Sequence, residues 1–112
     1  MREIEKFPDF IKELPEVDLP LPGARGWMIQ GEKQQVVFLE FDEDVTVPEH
    51  THDEQWEFAL AGSVVLHCDG EAEEHRPGES FFIPAGIPHS GDIKGGYKAM
   101  LVFNAPDRYK KK

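Results

Sequence analysis

The chain has 112 residues, of which 22 are acidic and 12 basic, for a formal charge of -10. That length supports one hydrophobic core but not two, and a make-up of 39% hydrophobic and 30% charged residues is globular, neither disordered nor low in complexity. So negative a surface repels nucleic acid and anionic lipid, and no apolar run approaches the roughly 20 residues needed to cross a bilayer.

Residues 1–6 mix charges with no apolar stretch behind them, unlike a secretory signal. Cys68 is the only cysteine, which excludes an intramolecular disulfide and any cysteine-rich zinc module and fits a reducing compartment. The expectation is a cytoplasmic protein. Residues 1–22 are punctuated by Pro8, Pro15, Pro20 and Pro22, each of which removes a donor and biases the residue before it towards extended backbone. Between them, residues 9–14 predict one helical turn capped by Asp9. The segment reads as an arm anchored by Phe7, Phe10, Ile11 and Leu14, packed on the body or on a second subunit.

From Gly23 onward the pattern is short strands, predicted at 26–30, 34–41, 55–61, 63–68, 71–75, 80–83, 89–93 and 97–103. They are rich in β-branched and aromatic residues, and turn chemistry separates them: Gly31-Glu32-Lys33, Gly62, Asp69-Gly70, Pro77-Gly78, Pro84-Ala85-Gly86 and Gly95-Gly96. No apolar period of 3.6 persists, so helix is minor. Such spacing indicates an antiparallel sandwich or a closed barrel. The organisation expected is an arm over 1–22, a body over 23–106 and a basic tail over 107–112. The tail reads as a solvated end, with docking on the acidic body as the alternative.

Five histidines are present, and His50 and His52 form a His-x-His pair. In extended backbone, residues two apart face the same side, so both imidazoles are offered to one ion. His89 follows the Pro84-Ala85-Gly86 turn. Three histidines at strand ends supply the nitrogen-rich side of a first-row metal site.

These two segments resemble the paired motifs of the cupin superfamily, small β-barrels that hold a metal in the barrel mouth. The second motif, Gly-x5-Pro-x-Gly-x2-His, is matched by Gly78, Pro84, Gly86 and His89, with Ile93 where an asparagine is common. The first is matched at His50, His52 and Gly62, while its leading glycine falls on Asp44. The resemblance covers residues 34–103. It implies an all-β, single-domain cupin, a jelly-roll-like antiparallel β-barrel with a short N-terminal arm. A homodimer is implied as well, since small cupins commonly pair through outer strands and an apolar arm is placed to cover an edge.

The resemblance implies one divalent ion (Fe, Mn, Ni, Zn or Cu) on His50, His52, His89 and a fourth ligand. Counting forward from His52 selects Glu57; counting back from Gly62 selects Gln55. The loop after the histidines loses residues more freely than a paired strand does, which favours Gln55. Glu57 would then stand on the same face as an alternate ligand or a general base, or as a carboxylate on a solvated rim. His67 reads as packed or surface, His75 as solvated, and Cys68 as unreactive for want of a nearby cation. Asp53 and Glu54 belong to a solvated loop or to an acidic rim unfavourable to anionic substrates. Tyr97 and Met100 are candidates for substrate contact on the closing strand.

The function expected is metal-dependent chemistry on a small molecule, of dioxygenase, isomerase or decarboxylase type. The rivals are a ligand-binding or sensor barrel with a structural metal, and a barrel whose site is a relic.

Overall fold

The computed structural model describes residues 2–112. After a four-residue helix α1 (Asp9–Lys12) come nine strands: β1 (Ala24–Gln30), β2 (Gln35–Phe41), β3 (Val45–His50), β4 (Gln55–Ala61), β5 (Val64–Cys68), β6 (Glu71–His75), β7 (Ser80–Ile83), β8 (His89–Ile93) and β9 (Lys98–Phe103). All pairings are antiparallel. They build a five-stranded sheet of order β1-β2-β9-β4-β7 and a four-stranded sheet of order β3-β8-β5-β6. The two inner faces make the core.

Alternation decides what enters that core. Every second residue of β2, β4 and β9 is buried, putting Val37, Leu39, Phe41, Ala59, Ala99, Leu101 and Phe103 inside. β1 departs from the pattern, with Gly26, Trp27 and Met28 buried in succession. Its outer face is covered as well: the Phe7 ring stands edge-on to Trp27 and Phe38, at centroid distances of 6.3 and 5.9 Å.

The arm also caps the edge of β1. Val17 N–H donates to Gly26 O (2.8 Å) and Met28 N–H to Pro15 O (2.9 Å). The C-terminal residues lie along the other side of the arm, with Asp18 N–H donating to Lys110 O and Lys112 N–H to Glu16 O, both at 2.8 Å. Backbone groups that an edge strand would leave open are thereby paired. The buried amide of Gln35 ties the same segment down, accepting from Tyr109 N–H (3.0 Å) and donating to Tyr109 O (2.9 Å) and Pro106 O (3.1 Å).

Several local expectations are corrected. β3 lies where no strand was expected, because Pro48 and the acidic run Asp42–Asp44 mask its apolar residues. It is tolerated as a strand because β3 is a sheet edge whose register shifts between Val47 and His50. Asp9 does not cap α1: Pro8, extended at φ -56 and ψ 152, precedes the helix, and Asp9 is its first residue. Phe10 is 69% exposed, whereas Phe7 is buried. His75 is buried too, stacked on Phe81 at 4.2 Å. His67 stays at the surface, paired with Asp92 at 2.8 Å. Among the described residues no helix is long and apolar enough to cross a membrane.

Candidate metal centre

β3 ends at His50, β8 begins at His89, and the pair joins those two residues in register. His52 lies just beyond β3, in the loop before β4 rather than on a strand, yet the three rings converge. Centroids are 5.1 Å apart for His50–His52, 4.3 Å for His50–His89 and 4.7 Å for His52–His89. One nitrogen from each ring lies within 4.8 Å of the others.

The tautomers follow from the neighbours. Nδ1 of His50 lies 2.8 Å from Pro48 O, Nδ1 of His52 lies 2.6 Å from Asp53 O, and Nδ1 of His89 lies 2.9 Å from Ile87 O. A carbonyl only accepts, so each Nδ1 carries the proton and each Nε2 presents a lone pair. Burial lowers the affinity of His52 for a second proton, to about 4, and that of His89 in the same direction. Nε2 of His52 and Nε2 of His89 then face each other at 3.1 Å with no hydrogen between them. Lone pairs so close repel unless a cation lies between them. The donor set thus fits a divalent transition ion, with carbonyls orienting the ligands from behind.

Gln55 and Glu57 both point inward from β4, and both are buried. Gln55 Nε2 donates to Glu57 Oε1 at 2.7 Å, and the Tyr97 hydroxyl donates to Glu57 Oε2. Among the described residues nothing donates to the Gln55 amide oxygen. Burial outweighs these two hydrogen bonds and pushes the Glu57 carboxyl up to about 7. It also raises Tyr97, which stays protonated. Glu57 is therefore an interior group, not a rim carboxylate in water, and it is not among the atoms that meet at the three imidazoles.

His50, Gln55, Glu57, His89 and Tyr97 line one cavity of about 270 Å³. The rest of its wall is mainly apolar, with Phe41, Leu101 and Phe103 from one sheet and Val64, Leu66 and Ile93 from the other. Tyr97 reaches the cavity, as expected of the closing segment; Met100 points to the other face of β9 and does not line it. Glu54 is exposed and accepts from Asn104 Nδ2 at 2.9 Å, outside the cavity. Burial and the charges of Asp69 and Glu73 raise the Cys68 thiol, so it is no thiolate nucleophile.

Among the cavity residues not singled out from the sequence are four from the ends of the strand region: Leu19 and Leu21 from the arm, and Arg108 and Tyr109 from the tail. For the leucines the Leu-Pro repeats were a usable signal, since a solvated linker has no need of them. For Arg108 there was none, because a basic residue near a chain end reads as solvated.

A two-sheet antiparallel β-sandwich with three imidazoles placed so that they could hold one metal ion, two of them lining a mainly apolar cavity, defines the class of small β-barrels to which this fold is compared. Residues 37–103 match the family model described as the cupin domain, and the chain belongs to that family. An RmlC-like cupin from Shewanella frigidimarina NCIMB 400 superposes with a TM-score of 0.74 at 24% identity, covering 96% of each chain. The polyketide cyclase RemF from Streptomyces resistomycificus gives 0.71 at 22% identity, over 95% of this chain and 81% of that one. KdgF from Halomonas sp. gives 0.69 at 19% identity, over 81% and 87%. At such identities the likeness is one of fold. No curated protein matches the chain.

Proposed function

We propose that this chain is a metal-dependent enzyme acting on a small molecule, with the ion held by His50, His52, His89 and the amide oxygen of Gln55. The observation that carries this reading is the convergence of three imidazoles, one nitrogen of each within 4.8 Å of the others, beside a mainly apolar cavity that His50 and His89 line and that also holds a buried carboxyl. Such an ion would supply Lewis-acid polarisation of a carbonyl or enol, or activation of dioxygen. Isomerase, decarboxylase and dioxygenase chemistry are the reaction types this admits.

Glu57 is the residue that would exchange a proton with the substrate. Its carboxyl lines the cavity, and the Tyr97 hydroxyl and Gln55 amide fix its orientation, which is what a general acid or base needs. The walls are mainly apolar, and at about 270 Å³ the space admits only a small occupant. The lone cysteine fits a reducing cytoplasm. Pairing of two copies is supported by an apolar outer face on the five-stranded sheet, where Trp56 (38% exposed) is paired in register with Phe82 (55% exposed).

The test is metal content by mass spectrometry on tag-free protein prepared without chelator, beside a His50→Ala/His89→Ala double variant. About one ion per chain in the parent and little in the variant is the expected result, with Glu57→Gln keeping its metal and losing turnover. No ion in either, even after reloading with several divalent metals, would overturn the reading. Metal without turnover, with ligand still bound, would leave a sensor barrel.

A further inference from the structure

Arg108 is the one cationic side chain among the residues lining the cavity, which include no lysine. It is not a frayed end. The Gln35 amide holds the backbone on either side of it, at Pro106 and at Tyr109. Its guanidinium is stacked 4.6 Å from the Tyr109 ring and 5.6 Å from the Phe103 ring. Both rings line the cavity, so the stack sets the guanidinium against the wall.

What Arg108 lacks is a counter-charge. It joins no ion pair and no side-chain hydrogen bond among the described residues, and its Nε is buried without a partner. In a chain with 22 acidic residues an arginine is easily paired; Arg25 and Arg76 both are. A buried, unpartnered guanidinium N–H is an unfavourable arrangement. It is explained when the missing acceptor belongs to a ligand.

We infer that Arg108 anchors the carboxylate of the substrate, so that the molecules this cavity accepts are small monocarboxylates with an apolar body. The inference deepens the reading above and rests on it for the word substrate. A planar guanidinium edge matches a carboxylate in two parallel hydrogen bonds. The apolar wall takes the remainder of the molecule. A phosphate is a poorer match, because one guanidinium is the only fixed cation in the cavity and the body carries a charge of -10. The acidic loop at Asp53 and Glu54 does not oppose this, since neither residue lines the cavity.

The experiment is a titration of the full chain, followed by NMR, with 4-methylpentanoate, its neutral isostere 4-methylpentanamide, and inorganic phosphate. Each is run on protein as purified and after chelation, with metal counted in the same samples. The acid is expected to bind the parent about 10- to 100-fold more tightly than the amide, with or without metal. Arg108→Gln should bring that ratio close to one, and Arg108→Lys should keep part of it. Because the readout is a ratio, a variant that loosens the cavity lowers both affinities without mimicking the result. Should Arg108→Gln fail to fold, the Lys variant carries the comparison. Equal binding of acid and amide by the parent, binding of neither, a ratio preserved in Arg108→Gln, or phosphate binding more tightly than the acid would each overturn the inference. A preference that vanishes on chelation also overturns it, assigning the carboxylate to the ion. Absence of metal in the parent sinks the enzyme reading alone.

Discussion

At Glu57 a carboxyl is enclosed by the cavity wall, and burial moves its protonation from 4.5 to about 7. The folded chain therefore keeps this proton over an interval in which the unfolded chain has lost it. Stability contributed by this residue is complete below pH 4.5, declines as the pH rises, and is gone above 7. The full change is about 3 kcal/mol for a shift of this size. Urea unfolding of chelated parent and Glu57→Gln at pH 5 and pH 8 measures it as the difference between the two proteins, in which the opposite contribution of the buried His52 and His89 cancels: relative to the variant, the parent should lose stability on going to pH 8. A variant as pH-dependent as the parent would show that Glu57 ionises freely in the fold. Two of the motif glycines, Gly62 and Gly86, make a second comparison. Gly62 has φ +69, and a Cβ there would stand 2.8 Å from Tyr97 Cα; Gly86 has φ +76 with nothing within 4 Å. Gly86→Ala should lose about 1 kcal/mol from backbone strain alone. Gly62→Ala should lose several, roughly 3 kcal/mol or more, because the backbone must also move. Equal losses would mean that the turn at Gly62 yields to a methyl group.

At the scale of elements, the edge of β1 is completed by two segments from opposite ends of the chain. The arm binds β1, the tail binds the arm, and the Gln35 side chain clasps the tail from β2. Gln35→Leu keeps the volume but leaves Tyr109 N–H and Tyr109 O without their partner, while Pro106 O keeps only Gln30 Nε2 at 2.8 Å. We expect a loss of about 2–4 kcal/mol, together with fast amide exchange at residues 110–112 and at Val17. Hydrogen exchange read residue by residue would show it; protection unchanged at both segments would mean that they dock independently of Gln35. The same elements also build part of the cavity wall. Leu19 and Leu21 on one segment and Arg108 and Tyr109 on the other complete a wall that nine strands leave open.

For the whole molecule, the five-stranded sheet has two apolar faces and a single core. The inner face meets the other sheet. The outer face is covered at its β1 end by Phe7, while Trp56 and Phe82 remain exposed near β7. If two copies pair across this face, Phe82→Glu places a charge in the interface and should give a monomer by light scattering, with the fold and the metal content kept. A parent that is monomeric at micromolar concentration would defeat the dimer proposal directly.

The strand pattern and the grouping of the three histidines were legible in the primary structure because they rest on local rules. Alternation marks β2, β4 and β9; glycine and proline mark the turns; His50 and His52 share a face by spacing, and His89 follows a turn that resembles a known motif. β3 was not legible, since a proline and three acidic-run neighbours outweigh two valines until β8 pairs with them. Nor was the depth of Glu57, because spacing shows which way a side chain points but not how much protein lies beyond it. The role of the ends was hidden most thoroughly. Leu19, Gln35 and Arg108 are far apart in the chain, and a lone arginine in a lysine-rich tail carries no local mark. Long-range packing alone brings it to the cavity, where the loss of water turns an ordinary cation into a binding group.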